Sequence, residues 1–226
     1  MKSLISGVEV LPASALETDT HKTVCITGHR MNRISLYKNN PVITYSAVKL
    51  MLYRYIDMAI EAGYENFING LASGTDLWGA EYVVMKKHRN DNIRLISVMP
   101  FLRHADLMTE NDRFILENVE KNSDYLITVN CNQAITYSRY KTPESSYKLY
   151  RDRNFFMIDH SSAVIAFSDN EKKHSGTSQT INYAYRNGRK IFSFNTETVN
   201  NIIEKSNSDI RTIGYEIALL DNVFCT

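Results

Sequence analysis

Thr23-Val24-Cys25-Ile26-Thr27 is a short β-branched, apolar run that ends in Gly28. No charge interrupts it, so both faces are expected to be buried, as in a strand flanked by parallel neighbours rather than one with a wet side. Downstream, residues 44–62 place Val48, Leu52, Tyr55, Ile56 and Ala59 at helical spacing and stop at Gly63, a natural residue to follow a helix C-terminus. A buried strand feeding such a helix is the first half of a crossover connection.

The pattern repeats along the chain. Phe67-Ile68 reads as a strand, Gly70 to Thr75 as a turn and Leu77 to Lys87 as a helix; Ile93 to Met99 is a third strand closed by Pro100. A helical stretch from about Asp106 to Asn122 precedes a strand at Tyr125 to Val129, and the polar segment Asn130 to Ser146, lacking any period, reads as a loop or insertion. Arg151 to His160 is expected to be helical, Ala163 to Phe167 a strand, Gln179 to Asn187 a helix closed by Gly188, and Lys190 to Phe194 a last strand. Short apolar strands alternating with helices predict a doubly wound α/β fold, a mainly parallel sheet with helices on both faces. The expected organisation is an N-terminal arm over residues 1–22, one α/β domain over 23–195, and a polar, weakly helical appended element over 196–226.

Composition agrees with an ordinary globular chain. Of 226 residues 43% are hydrophobic and 23% charged, with 9 glycines and 4 prolines. The formal net charge of +1 gives no global attraction to nucleic acid or to an anionic membrane. Cys25, Cys131 and Cys225 are odd in number and widely spaced, which argues against a disulfide framework or a zinc site and fits a reducing cytoplasm. The six histidines show no ligand spacing, so neither a metal nor a cofactor is expected. No apolar run reaches the roughly eighteen residues of a spanning helix, and Glu9 breaks the apolar start, so no signal peptide is expected either.

In an open parallel sheet, ligands bind beyond the carboxyl ends of the strands, near the point where strand order reverses. Three turns should converge there. Thr27-Gly28-His29-Arg30 combines a glycine, which lets the backbone approach a ligand, with a guanidinium suited to phosphate. Asn69-Gly70-Leu71-Ala72-Ser73-Gly74-Thr75-Asp76 runs from a strand straight into a helix and can present free N–H groups to an anion; Asp76 could cap that helix or accept from a ribose hydroxyl. His174-Ser175-Gly176-Thr177-Ser178 again opens a helix. None of them matches the dinucleotide G-x-G-x-x-G or the phosphate-loop G-x-x-x-x-G-K pattern.

Cys25-Ile26-Thr27-Gly28-His29-Arg30, the run from Gly70 to Glu81, Arg153 to Asp159, and Ser175-Gly176-Thr177 together resemble the SLOG superfamily, close to its YpsA-like branch. The resemblance implies a Rossmann-like domain and the binding of a nucleotide or nucleotide-derived ligand, in a sensing or sequestering role. That superfamily also holds the LOG phosphoribohydrolases and the DNA-processing protein DprA. LOG enzymes carry an upstream arginine, matched by Arg153, and a motif glutamate whose position falls here on Thr180. A threonine cannot act as a carboxylate, so binding without catalysis is expected, with Arg153, Glu81 and Asp76 as candidates should the chain be a nucleotide N-glycosidic hydrolase.

A third reading, a DprA-like single-strand DNA binder, draws on Tyr137-Ser138-Arg139-Tyr140-Lys141 and Tyr147-Lys148-Leu149-Tyr150-Arg151-Asp152-Arg153, where aromatics and cations interleave. The bland alternative is that these tyrosines pack over the sheet while their basic neighbours stay in water. The expected partner is therefore a nucleotide-type small molecule. Nucleic acid is disfavoured, a membrane is not expected, and homo-oligomerisation is left open.

Overall fold

A computed structural model of the chain describes residues 1–133, 135, 143–169 and 175–225, the side chains of residues 143–146 excepted. The elements in chain order are β1 (Leu11–Pro12), β2 (Thr23–Gly28), α1 (Pro41–Glu61), β3 (Asn66–Asn69), α2 (Thr75–Lys87), β4 (Arg94–Phe101), α3 (Glu110–Asn122), β5 (Tyr125–Asn130), α4 (Pro143–Asp159), β6 (Ala163–Ser168), α5 (Gly176–Arg186), β7 (Lys190–Asn195), α6 (Thr196–Lys205) and α7 (Ile210–Ala218). Among the described residues the strands form one seven-stranded sheet in the order β1-β5-β4-β3-β2-β6-β7, parallel throughout. The fold is Rossmann-like α/β.

Side-chain alternation along the strands builds two cores. Val24 and Ile26 point into one apolar cluster and Cys25 into the other; Phe67 and Ile68, and Leu126 and Ile127, divide in the same way. The larger cluster is covered by α1, α2, α3, α6 and α7, the smaller by α4 and α5. From β2 the chain steps through β3 and β4 to β5 with α1–α3 on one face. It then returns by α4 to β6, on the other flank of β2, and continues to β7 with α5 on the opposite face. Right-handed crossovers require this exchange of faces when the direction of stepping changes. The reversal falls at β2, between β3 and β6.

Local signals set the helix ends. The Asn40 side chain accepts from the Ile43 N–H ahead of Pro41 at the head of α1, and the helix closes with Gly63 N–H to the Ile60 carbonyl and Tyr64 N–H to the Ala59 carbonyl, a Schellman arrangement. Three expectations are corrected. Strand β4 does not stop at Pro100 but runs through it to Phe101, because β3 pairs with β4 only as far as Ser97 and β5 alone remains beside the proline. The helix expected from Asp106 starts at Glu110, where the Thr109 hydroxyl caps it. The segment expected to be a loop as far as Ser146 is helical from Pro143. The tail forms two helices whose Val199, Ile203, Ile213 and Ile217 are buried in the larger core. Strand β1, not anticipated, pairs with β5 at the sheet edge, and the Ser3 hydroxyl ties the same N-terminal segment to Glu120 at 2.5 Å. Among the described residues no helix is long and apolar enough to cross a membrane.

Candidate functional site

The carboxyl ends of β2, β3 and β6 lie side by side at the switch point, so the turns that follow them meet there. The turn after β3 is pressed against the turn after β2. Gly74 has φ +90°, and a Cβ there would sit 2.6 Å from the Met31 nitrogen and 2.8 Å from the His29 oxygen. The Thr75 hydroxyl donates to the His29 carbonyl at 3.0 Å. Within the same turn, Leu71 adopts φ +58° with its N–H held by the Asn69 side chain at 3.0 Å, an Asx turn that offsets an unfavourable backbone conformation.

Beneath these turns lies a buried ion pair. Arg153 reaches across from α4, donates to the Gly70 carbonyl and approaches the Asp76 carboxylate at 3.6 Å, both side chains being 5% exposed. A side chain at Gly70 would run into the Arg153 guanidinium, so the glycine is what admits the arginine. Burial pushes the Asp76 carboxyl above its ordinary range, and Arg153, Arg30 and the N–H groups of Ala72 and Gly28 act against that shift. The Nε of Arg153 is buried with no hydrogen-bond partner among the described residues. The guanidinium carbons of Arg30 and Arg153 lie 5.2 and 5.8 Å from the centroid of the Tyr150 ring.

The turn after β6 is different. The Ser175 hydroxyl accepts from the Ser178 N–H at 3.1 Å, while the N–H groups of Gly176 and Thr177 meet no acceptor among the described residues, the usual state of a helix's first turn. These groups face a cavity of about 430 Å³ whose other walls carry Gly28, Arg30, Asp76, Tyr150 and Arg153. A smaller cavity of about 250 Å³ adjoins it and shares Arg30, Asn32, Ala72 and Tyr150. The arrangement suits an anionic ligand carrying a flat ring. Helix N-terminal donors and a guanidinium address charge, and a tyrosine offers a stacking face.

A family model described as the YspA SLOG family, YpsA, matches residues 24–202. The chain belongs to that family. Among relatives, the UPF0398 protein of Bacillus cereus (strain G9842) is 28% identical over 155 residues, covering 68% of this chain and 78% of the relative. The UPF0398 protein of Bacillus thuringiensis (strain Al Hakam) shows the same identity and coverage. Among solved structures, DNA processing protein A (DprA) from Streptococcus pneumoniae aligns with a TM-score of 0.48 at 16% identity, over 82% of this chain. The chain spans 56% of that protein's length.

Of the residues singled out in sequence, this SLOG family member brings Thr27, Gly28, His29, Arg30, Asp76, Arg153, Ser175, Gly176 and Thr177 to the larger cavity, and Gly70 and Ser73 to the smaller. Gly74 and Thr75 are buried under the turn they shape. Glu81 lines neither cavity and lies near Tyr53. Thr180, at the position of the LOG glutamate, is fully buried; its hydroxyl donates to the Gly176 carbonyl at 2.8 Å and accepts from the Asn154 amide at 2.9 Å, so it joins α5 to α4 instead of facing the cavity. Tyr147 and Tyr150 both line the larger cavity, whereas Arg151 pairs with Asp152. Tyr137, Ser138, Arg139, Tyr140, Lys141 and His174 lie outside the described residues. His104 and Asp112, on the smaller cavity, carry no glycine-turn signature; their only sequence signal is that they follow the end of β4. Burial and the nearby Arg153 and Arg30 charges lower the His104 pKa to about 3, so its imidazole is neutral near pH 7.

Proposed function

We propose that the chain binds a nucleotide or nucleotide-derived phosphorylated ligand in the larger cavity, in a sensing or sequestering role. The observation that carries this reading is the open first turn of α5, Gly176 and Thr177, facing Arg30 and Tyr150 across one cavity. A phosphate there accepts from backbone N–H groups and a guanidinium at once. Membership of the SLOG family supports a nucleotide-related role in the broad sense.

The test is a thermal-shift series on the purified chain with nucleoside mono- and diphosphates and ADP-ribose derivatives. A ligand at about 100 times its Kd adds about 2.7 kcal/mol, which at about 2–4 °C per kcal/mol is a shift of several degrees. Gly176→Phe should abolish the shift. No stabilisation by any of these compounds would refute the reading.

A second reading, N-glycosidic hydrolysis, has one observation in its favour: Asp76, a carboxyl with a raised pKa, lines the cavity beside Arg153. Its engagement by Arg153 supports a positioning role instead, as does the burial of Thr180. Chromatography for free base after incubation decides between them. Base release that disappears in Asp76→Asn would establish the hydrolase.

A further inference from the structure

We propose that the smaller cavity is a base-recognition subsite in which Asp112 selects a ring edge bearing two adjacent N–H donors, the edge of guanine. This rests on the larger cavity holding the phosphate of the same ligand. The two cavities share Arg30 and Tyr150, so a molecule anchored at the first turn of α5 can reach past the tyrosine into the second space. At about 250 Å³ that space falls below the usual span of small-molecule pockets, about 300–1,000 Å³, and suits a fragment such as one base.

Asp112 is 7% exposed and sits in the first turn of α3. Its backbone N–H donates to the Thr109 hydroxyl at 3.2 Å, which is one half of a capping box. The other half, from the Asp112 carboxylate back to the Thr109 N–H, is not made: among the described residues the carboxylate has no hydrogen bond and no ion pair, and it opens onto the cavity. Arg30 lies in the same wall but is placed over the Tyr150 ring instead of on Asp112. The carboxylate oxygens remain accessible from the cavity, where a ligand that donates to both of them can meet them in a bidentate arrangement.

The standard bases differ in what they offer such a carboxylate. Guanine presents its ring N1–H and exocyclic amine side by side. Adenine and cytosine set a ring acceptor beside their amine, which would face a carboxylate oxygen lone pair to lone pair, and uracil has a single donor between two carbonyls. The apolar parts of the cavity agree with a flat ring, with Tyr150 on one side and Leu107, 76% exposed, at the rim. A neutral His104 in the same wall brings no charge that would neutralise Asp112 internally.

Isothermal titration of the full chain with GMP, AMP, XMP and ribose 5-phosphate tests this. GMP should bind at least tenfold more tightly than AMP. Asp112→Asn, whose amide accepts at one atom and donates at the other, should weaken GMP at least tenfold and improve XMP, which carries a carbonyl where guanine has its amine. GMP and AMP binding within a few-fold in the unmodified chain would overturn the inference without any variant, as would a GMP preference that survives both Asp112→Asn and Asp112→Ala. If ribose 5-phosphate binds while GMP gains nothing over AMP, the base subsite falls and the phosphate reading stands. If neither ribose 5-phosphate nor any nucleotide binds, both fall.

Discussion

In the turn between β3 and α2, Gly70, Gly74 and Asp76 are held by other parts of the protein, whereas at the head of α5 the N–H groups of Gly176 and Thr177 meet no acceptor among the described residues. The first turn holds Gly70, Gly74 and Asp76, and each is matched from within: Gly70 by Arg153, Gly74 by the backbone of His29 and Met31, Asp76 by Arg153 and neighbouring N–H groups. The second holds Ser175, Gly176 and Thr177; the serine caps the helix and the Gly176 carbonyl accepts from Thr180, but among the described residues the N–H groups of Gly176 and Thr177 meet no acceptor, and a Cβ on Gly176 would meet nothing within 4 Å. Turns that look alike in sequence therefore divide the labour. One is a support that shapes the cavity, and the other, in the proposed reading, supplies the donors for the ligand's phosphate.

Breaking the support should have the largest effect. Arg153→Ala leaves the Asp76 carboxylate buried without its nearest cation, and loss of one partner of a buried pair costs about 3–5 kcal/mol. Urea unfolding should show it as a lower midpoint at unchanged slope. The effect carries a pH signature. The folded-state pKa of Asp76 is already raised, and removing Arg153, which lowers it, raises it further. A raised folded pKa leaves stability intact below the ordinary carboxylate range and removes it as pH rises through the raised value. The deficit relative to the unmodified chain should thus be larger at about pH 7 than at about pH 4. An equal deficit at both would mean that the arginine acts through packing alone.

Gly70→Ala attacks the same support from the other side, since the new methyl meets the guanidinium and lies 2.7 Å from the Asp76 carboxylate. Overpacking of this kind costs about 1–3 kcal/mol. Because the methyl and Arg153 compete for one space, the double variant with Arg153→Ala should lose less than the sum of the two single losses. Additive losses would separate the glycine from the arginine. On the open turn, Ser175→Ala removes a helix N-cap and should cost about 1 kcal/mol, read as a fall of about 2–4 °C in Tm.

The parts of the molecule legible in sequence are those where one physical signal dominates. Val24, Cys25 and Ile26 are buried on both faces, so an uninterrupted apolar run marks β2, and Gly63 and Gly188 end their helices through bonds that a glycine favours. Strand β1 escapes because Leu11–Pro12 is too short to show a period, and its place is set by β5. The early turns of α4 escape because their residues are polar, and the helix is anchored further along by Met157 and Ile158. For the site, the strand-end rule nominates the edge, but it cannot reveal that Arg153 crosses 83 positions to reach Gly70, a contact of tertiary origin. Asp112 and His104 lie after β4 without a glycine turn to draw attention to them.

The smallest expected effect separates the two turns most sharply. Gly176→Ala is chemically the same change as Gly70→Ala, yet Gly176 stands at the first position of α5 with no positive φ and with open space where the methyl would go. Alanine also has a lower conformational entropy cost in a helix than glycine, so folding stability should hold or rise by about 0.4–1 kcal/mol. Ligand binding should move the other way, because the methyl enters the space beside the donors that the proposed phosphate occupies. Opposite signs in unfolding midpoint and ligand affinity within one variant are an outcome that a purely structural turn would not produce. A Gly176→Ala protein that is destabilised like Gly70→Ala, or that binds nucleotides as well as the unmodified chain, would show that the turn after β6 is a second support and that the ligand's phosphate must be sought elsewhere along the cleft.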